Sequence, residues 1–129
     1  MKILVTGFTP FGGEQINPSW EAVESLPDRI GEAVLLKREI PTEFDAACAA
    51  LRAQLDELRP DAVLSVGQYG GANCIRVERV AVNLRDARIA DNAGAKPVDE
   101  PVVPGAPDAY FATLPTRRIV EKLRGEDIP

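Results

Sequence analysis

The chain has 129 residues, 45% hydrophobic and 27% charged, which suits one ordinary globular domain with a modest core. Its net charge of -5 and the lack of a basic stripe argue against nucleic-acid binding, and no apolar run approaches a membrane span. It contains no histidine, so a Cys–His or Ser–His catalytic pair cannot be completed within these residues.

Lys2 to Thr6 (KILVT) is a short apolar run ending at Gly7 and reads as a buried strand, not a signal peptide. The loop GFTPFGGEQI follows. Asn17 then caps a helix with Pro18 at the favoured first position. Trp20, Val23 and Leu26 share one face of it, and Pro27 stops it. Ala33 to Ile40 is a second strand. Thr42 is expected to cap the next helix, with Asp45 completing a near capping box. Phe44, Ala47, Cys48, Leu51, Leu55 and Leu58 keep helical spacing, so Cys48 is expected in the core; Pro60 closes the helix. Ala62 to Val66 is a third strand, ending in GQYGG.

Cys74 to Leu84 reads as a fourth, longer strand. Arg85 to Asp108 is a proline- and aspartate-rich loop, long enough to suggest a functional role. Tyr110 to Leu114 is a short strand candidate, and Thr116 to Arg124 a helix with Ile119, Val120 and Leu123 inward and Gly125 as C-cap. Strands alternating with helices predict an α/β/α sandwich on a mixed, partly parallel sheet, as a single domain over residues 1–129. Ligands of such sheets bind beyond the carboxyl ends of the strands, where GFTPFGG and GQYGG both open. The last residues, GEDIP, read as the approach to a further strand. The domain is therefore expected to be incomplete at its carboxyl end.

Glu78 interrupts the fourth strand. Apolar residues fall at odd positions before it (Ile75, Val77) and at even ones after it (Val80, Val82), so the strand must twist, bulge or be covered on both sides. A buried carboxylate there needs a partner, and Arg76 shares its face. From the residues alone two readings stand: a solvated or ion-paired structural glutamate, and a carboxylate that orients a catalytic histidine. Cys74 opens a strand with nothing to activate it and reads as an inert thiol. Asp86, Asp91 and Asp99 lack EF-hand spacing and are explained by turn formation. GFTPFGG lacks the ending of a phosphate-binding P-loop.

Taken together, ILVTGFTPFGG, NPSWEAV, VGQYGG, ERVAVNLRDARIADNAG and AYFATLP resemble the pyroglutamyl peptidase type I (pyrrolidone-carboxylate peptidase) family, in order along nearly the whole chain. One departure is Arg76, where the family usually has Ser or Thr. The resemblance implies a cytoplasmic cysteine exopeptidase without cofactor or metal, removing N-terminal pyroglutamate through a Cys–His–Glu triad. It implies that Glu78 is the triad acid, that Phe8 and Phe11 pack on the pyroglutamyl ring, and that Gln68 and Arg88 bind substrate. The family's cysteine and histidine lie downstream of Gly125, so the chain alone is expected to be inactive. Partners implied are N-terminal pyroglutamyl peptides and further copies of the chain, as a tetramer. The chemistry suits the residue types. A lactam ring offers two apolar faces and one polar edge, and each unmatched polar group in such a pocket costs about 1–3 kcal/mol. Two other readings are an inactive module that binds pyroglutamyl-like peptides and a phosphate- or nucleoside-binding protein on a phosphorylase-like fold.

Overall fold

The computed structural model describes residues 1–129. Their contacts divide the chain into two compact units, Met1–Gln68 with Ile89–Lys96, and Tyr69–Arg88 with Pro97–Pro129.

The first unit is an α/β layer structure. Its elements are β1 (Lys2–Phe8), α1 (Pro18–Glu24), β2 (Arg29–Ile30), β3 (Ala33–Ile40), α2 (Phe44–Leu58) and β4 (Ala62–Ser65). The sheet order is β2-β3-β1-β4, with β1 parallel to both β3 and β4 and only the short β2 antiparallel. The register places Ile3 beside Leu35 and Ala62, and Leu4 beside Leu36 and Val63.

Pleating sends alternate residues to opposite faces. Val5 and Leu35 meet Val23 of α1 in the core cluster, with Ile3, Trp20, Leu26 and Val66 packed around it. On the same face, Lys37 donates to the Leu26 carbonyl at 2.8 Å and pairs with Asp28 at 2.9 Å. The other face carries Leu4 and Thr6, both buried, and Arg38, whose Nε donates to Oε1 of Gln54 in α2 at 2.7 Å. Helices thus flank the sheet on both sides.

Gly7 is the point of closest approach between sheet and helix. A Cβ there would lie 2.6 Å from the Trp20 Cα. Only glycine lets α1 settle this close. Asn17 caps α1 as its sequence requires, its Oδ1 accepting from the Ser19 N–H at 3.0 Å.

The start of α2 differs from expectation. Thr42 does not cap it: its hydroxyl donates to the Thr9 carbonyl at 2.6 Å, and the N-cap residue, Glu43, makes no side-chain capping bond. The carboxylate of Asp91 takes that role, accepting from the Phe44 N–H at 2.8 Å. Cys48 is exposed, not in the core; no residue of α2 is fully buried. At the other end, Arg59 adopts a left-handed φ of 44° and donates to the Leu55 carbonyl at 3.0 Å.

The second unit contains β5 (Val80–Val82), β6 (Ala109–Phe111) and α3 (Thr116–Gly125). β5 and β6 pair antiparallel, Ala81 opposite Tyr110. The expected strand from Cys74 to Leu84 is therefore cut to three residues. Residues 75–79 run without a ladder of their own, tied by the Ile75 N–H to the Pro129 carbonyl at 2.7 Å and by the Ala112 N–H to the Arg79 carbonyl at 2.9 Å. Beyond β5 the chain is well tethered. The Asn83 side chain donates to the Val103 carbonyl at 2.9 Å and accepts from the Val103 N–H at 2.8 Å. Arg85 bridges Glu100 through the backbone and through a 3.1 Å ion pair. In α3, Ile119, Val120 and Leu123 are half-buried on one face, and the helix runs through Gly125 to a C-cap at Glu126. No helix is long and apolar enough to cross a membrane.

Candidate active site

Parallel strands β1 and β4 are neighbours, so the chain leaves both at the same edge of the sheet. Phe8 is the last residue of β1, and Phe11 follows in its loop; both are half-buried. Gln68 follows β4 and is exposed at that same edge. Phe8, Phe11 and Gln68 thus lie at or just beyond the carboxyl ends of two neighbouring parallel strands.

The aromatic loop is tightly framed. Directly after Phe11 the chain turns back, with the Glu14 N–H donating to the Phe11 carbonyl at 3.2 Å. Gly12 (φ 66°) and Gly13 (φ 86°) supply the two left-handed residues that such a turn demands. The Phe8 N–H donates to the Ser19 hydroxyl at 3.0 Å, and that hydroxyl donates to Asn17 Oδ1 at 2.9 Å. Asn17 Nδ2 donates to the Thr9 carbonyl at 3.0 Å. The Thr9 N–H donates to the Ile40 carbonyl at 2.9 Å, and the Thr42 N–H to Thr9 Oγ1 at 2.9 Å. These bonds fix the backbone that carries both phenylalanines.

Asp91 and Asn92 complete the frame. Asp91 Oδ1 accepts from the N–H groups of Ala93 at 3.0 Å and Ala95 at 2.8 Å, which closes a tight turn. Its Oδ2 takes the Phe44 N–H. These backbone donors, Phe44 first, hold the Asp91 carboxyl below the usual carboxylate range. A lowered value in the folded protein means stabilisation that is complete above the ordinary value of 3.8 and lost as pH falls through the lowered one. We therefore expect the unfolding midpoints of the parent protein and D91A to differ by a constant amount near neutrality and to converge below about pH 4. Thermal unfolding across that range is the check, and a gap that persists undiminished to about pH 2 would contradict it.

The second unit carries the remaining expected residues. Glu78 is exposed. The reason is local: residues 75–79 have no strand laid across their face, and Val80 and Val82 are exposed too. Arg76 is not a partner for Glu78; its guanidinium lies over the Tyr69 ring, with Cζ 3.9 Å from the centroid. Arg88 is exposed, as is Cys74. In the sequence Asp91 reads only as a turn former, and Asn92 carries no signal of its own. The D-N-A-G stretch announces the turn, whereas the groups it reaches depend on the fold.

The family described as pyroglutamyl peptidase matches residues 1–129. A pyrrolidone-carboxylate peptidase of Thermococcus onnurineus is 54% identical over 129 residues, covering 100% of this chain and 64% of that protein. One from Bacillus mycoides is 51% identical over 128 residues, covering 98% of this chain and 60% of the relative. Among solved structures, pyrrolidone carboxyl peptidase of Pyrococcus furiosus superposes with a TM-score of 0.96 at 49% identity, over 100% of this chain and 62% of that one. Pyroglutamyl peptidase I of Bacillus amyloliquefaciens gives 0.95 at 48% identity, over 99% and 63%. The chain thus spans less than two thirds of the length of these relatives. Agreement this close in sequence and backbone, along every element from β1 to α3, makes the chain a member of the pyroglutamyl peptidase family.

Proposed function

We propose that these residues supply the ring pocket and the triad acid of a cysteine exopeptidase that removes pyroglutamate from the N-terminus of peptides. The observation that carries this reading is 54% identity over all 129 residues to a pyrrolidone-carboxylate peptidase. Phe8 and Phe11 cover the two apolar faces of the lactam. Gln68 reads its N–H and C=O edge, and Arg88 lies near the reacting carbonyl. Pyroglutamate has no free amine, so the pocket needs no carboxylate to hold an ammonium.

Glu78 acts through a histidine. Its carboxylate accepts the imidazole Nδ1–H, fixing the tautomer and stabilising the imidazolium. Residues 1–129 contain no histidine, so in this reading the imidazole comes from outside them. The thiolate attacks the pyroglutamyl carbonyl, the peptide C–N bond breaks, and the imidazolium gives its proton to the departing amine. Water, deprotonated by the imidazole, then cleaves the thioester and releases pyroglutamate with the thiol restored. A reducing compartment such as the cytoplasm keeps a thiol nucleophile free of disulfides. The working form is a homo-oligomer.

The test is direct. We expect the full-length protein to release the fluorophore from a pyroglutamyl substrate, and to lose that activity on alkylation of its cysteines. Full activity after complete alkylation would rule out the thiol mechanism. Residues 1–129 alone are expected to give no turnover.

A further inference from the structure

The loop that carries Phe8 and Phe11 is held from outside its own strand. The Pro10 carbonyl, between the two phenylalanines in sequence, accepts a hydrogen bond from Asn92 Nδ2 at 2.8 Å, across a separation of 82 residues. The Asn92 N–H donates to the Thr42 carbonyl at 3.2 Å. Thr42 in turn donates to Thr9 twice, through its hydroxyl and its N–H. Asn92 is itself oriented by the Asp91 turn, whose carboxylate binds Ala93, Ala95 and the start of α2.

An asparagine serving only its own turn would spend its amide on neighbouring backbone. This one sends it to the middle of the aromatic loop. Asn92 is exposed, so burial does not explain the contact. Two rings that sandwich a flat lactam must each sit at van der Waals distance, and a gap of about 0.5–1 Å already forfeits a quarter to a half of the contact energy. Whatever fixes the Pro10 carbonyl fixes the backbone on both sides of it.

From this geometry we infer that Asn92 is a positioning residue for recognition of the pyroglutamyl ring. Through the Pro10 carbonyl it sets the separation of Phe8 and Phe11, and it acts on substrate binding, not on the chemical step. The inference rests on the reading that these two phenylalanines form the walls of the ring pocket.

The experiment uses two variants of the full-length protein. Asn92→Asp keeps the shape but turns an oxygen toward the Pro10 carbonyl; Asn92→Ala removes the amide without adding repulsion and covers the case in which the first does not fold. We expect KM for a pyroglutamyl substrate to rise on the order of tenfold, with kcat within about twofold of the parent and an unchanged rate of thiol alkylation. Hydrogen exchange at the Thr9 and Glu14 amides should quicken while β1 stays protected. A lowered melting temperature with KM unchanged, or a fall in kcat alone, would overturn the role, because a purely structural asparagine predicts the former. A parent protein that releases no pyroglutamate would instead overturn the enzymatic reading and this role with it. An active parent whose variants keep its KM overturns the role of Asn92 alone.

Discussion

Gly7→Ala is expected to destabilise the protein by about 3 kcal/mol. The added Cβ would fall 2.6 Å from the Trp20 Cα, 2.7 Å from the Trp20 N and 2.8 Å from the Ser19 carbonyl carbon. These are backbone atoms, so no side chain can swing aside. The helix must back away from β1, which pulls Val23 off Val5 and Leu35 and stretches the Phe8–Ser19–Asn17 hydrogen bonds. The same retreat would disturb Phe8, so the pocket should suffer along with the core. Gly67→Ala is the matched control. Nothing lies within 4 Å of its Cβ position, and its effect should stay within about 0.5 kcal/mol. Urea denaturation of both variants decides the matter; equal midpoints would show that the close approach of α1 to β1 is not what Gly7 provides.

Glu78→Gln is expected to lower kcat of the full-length protein by on the order of 10⁴-fold. The amide keeps the size of the carboxylate but not its charge. It can present an N–H to the imidazole Nδ1, which favours the wrong tautomer, and it no longer stabilises the imidazolium. Folding should be little changed, because Glu78 is exposed within residues 1–129 and supports no packing there. An unchanged turnover number, with the variant folded, would make Glu78 a surface residue and nothing more.

Much of the first unit can be read directly from its residues. Lys2–Phe8 and Ala33–Ile40 are apolar runs bounded by turn residues, and Asn17-Pro18 marks the start of α1 because capping is a local interaction. The two-residue β2 left no pattern; it exists because Gly31 (φ 56°) turns the chain back on β3. The cap of α2 leaves no local signal, because its carboxylate arrives from Asp91, 47 residues away from the N–H it satisfies. The strand around Glu78 is shorter than its residues suggest for a related reason. Its residue types suit a ladder, but a ladder needs a partner, and only Val80–Val82 find one, in β6.

For the site the division is similar. Phe8 and Phe11 declare themselves by lying among glycines and a proline at the end of a strand. Gln68 does so by following the adjacent parallel strand. Glu78 and Arg88 carry no comparable signal, and their roles follow from likeness to a family. Asn92 could not be found from sequence at all, since its target is a backbone carbonyl, and every residue has one.

The most direct test of the account is the distance from the Glu78 carboxylate to the nearest imidazole nitrogen in a crystal structure of the full-length protein. We expect a hydrogen bond of about 2.6–3.2 Å to Nδ1, with a cysteine sulfur on the far side of the same ring. A carboxylate surrounded by water, with no imidazole in reach, would contradict it.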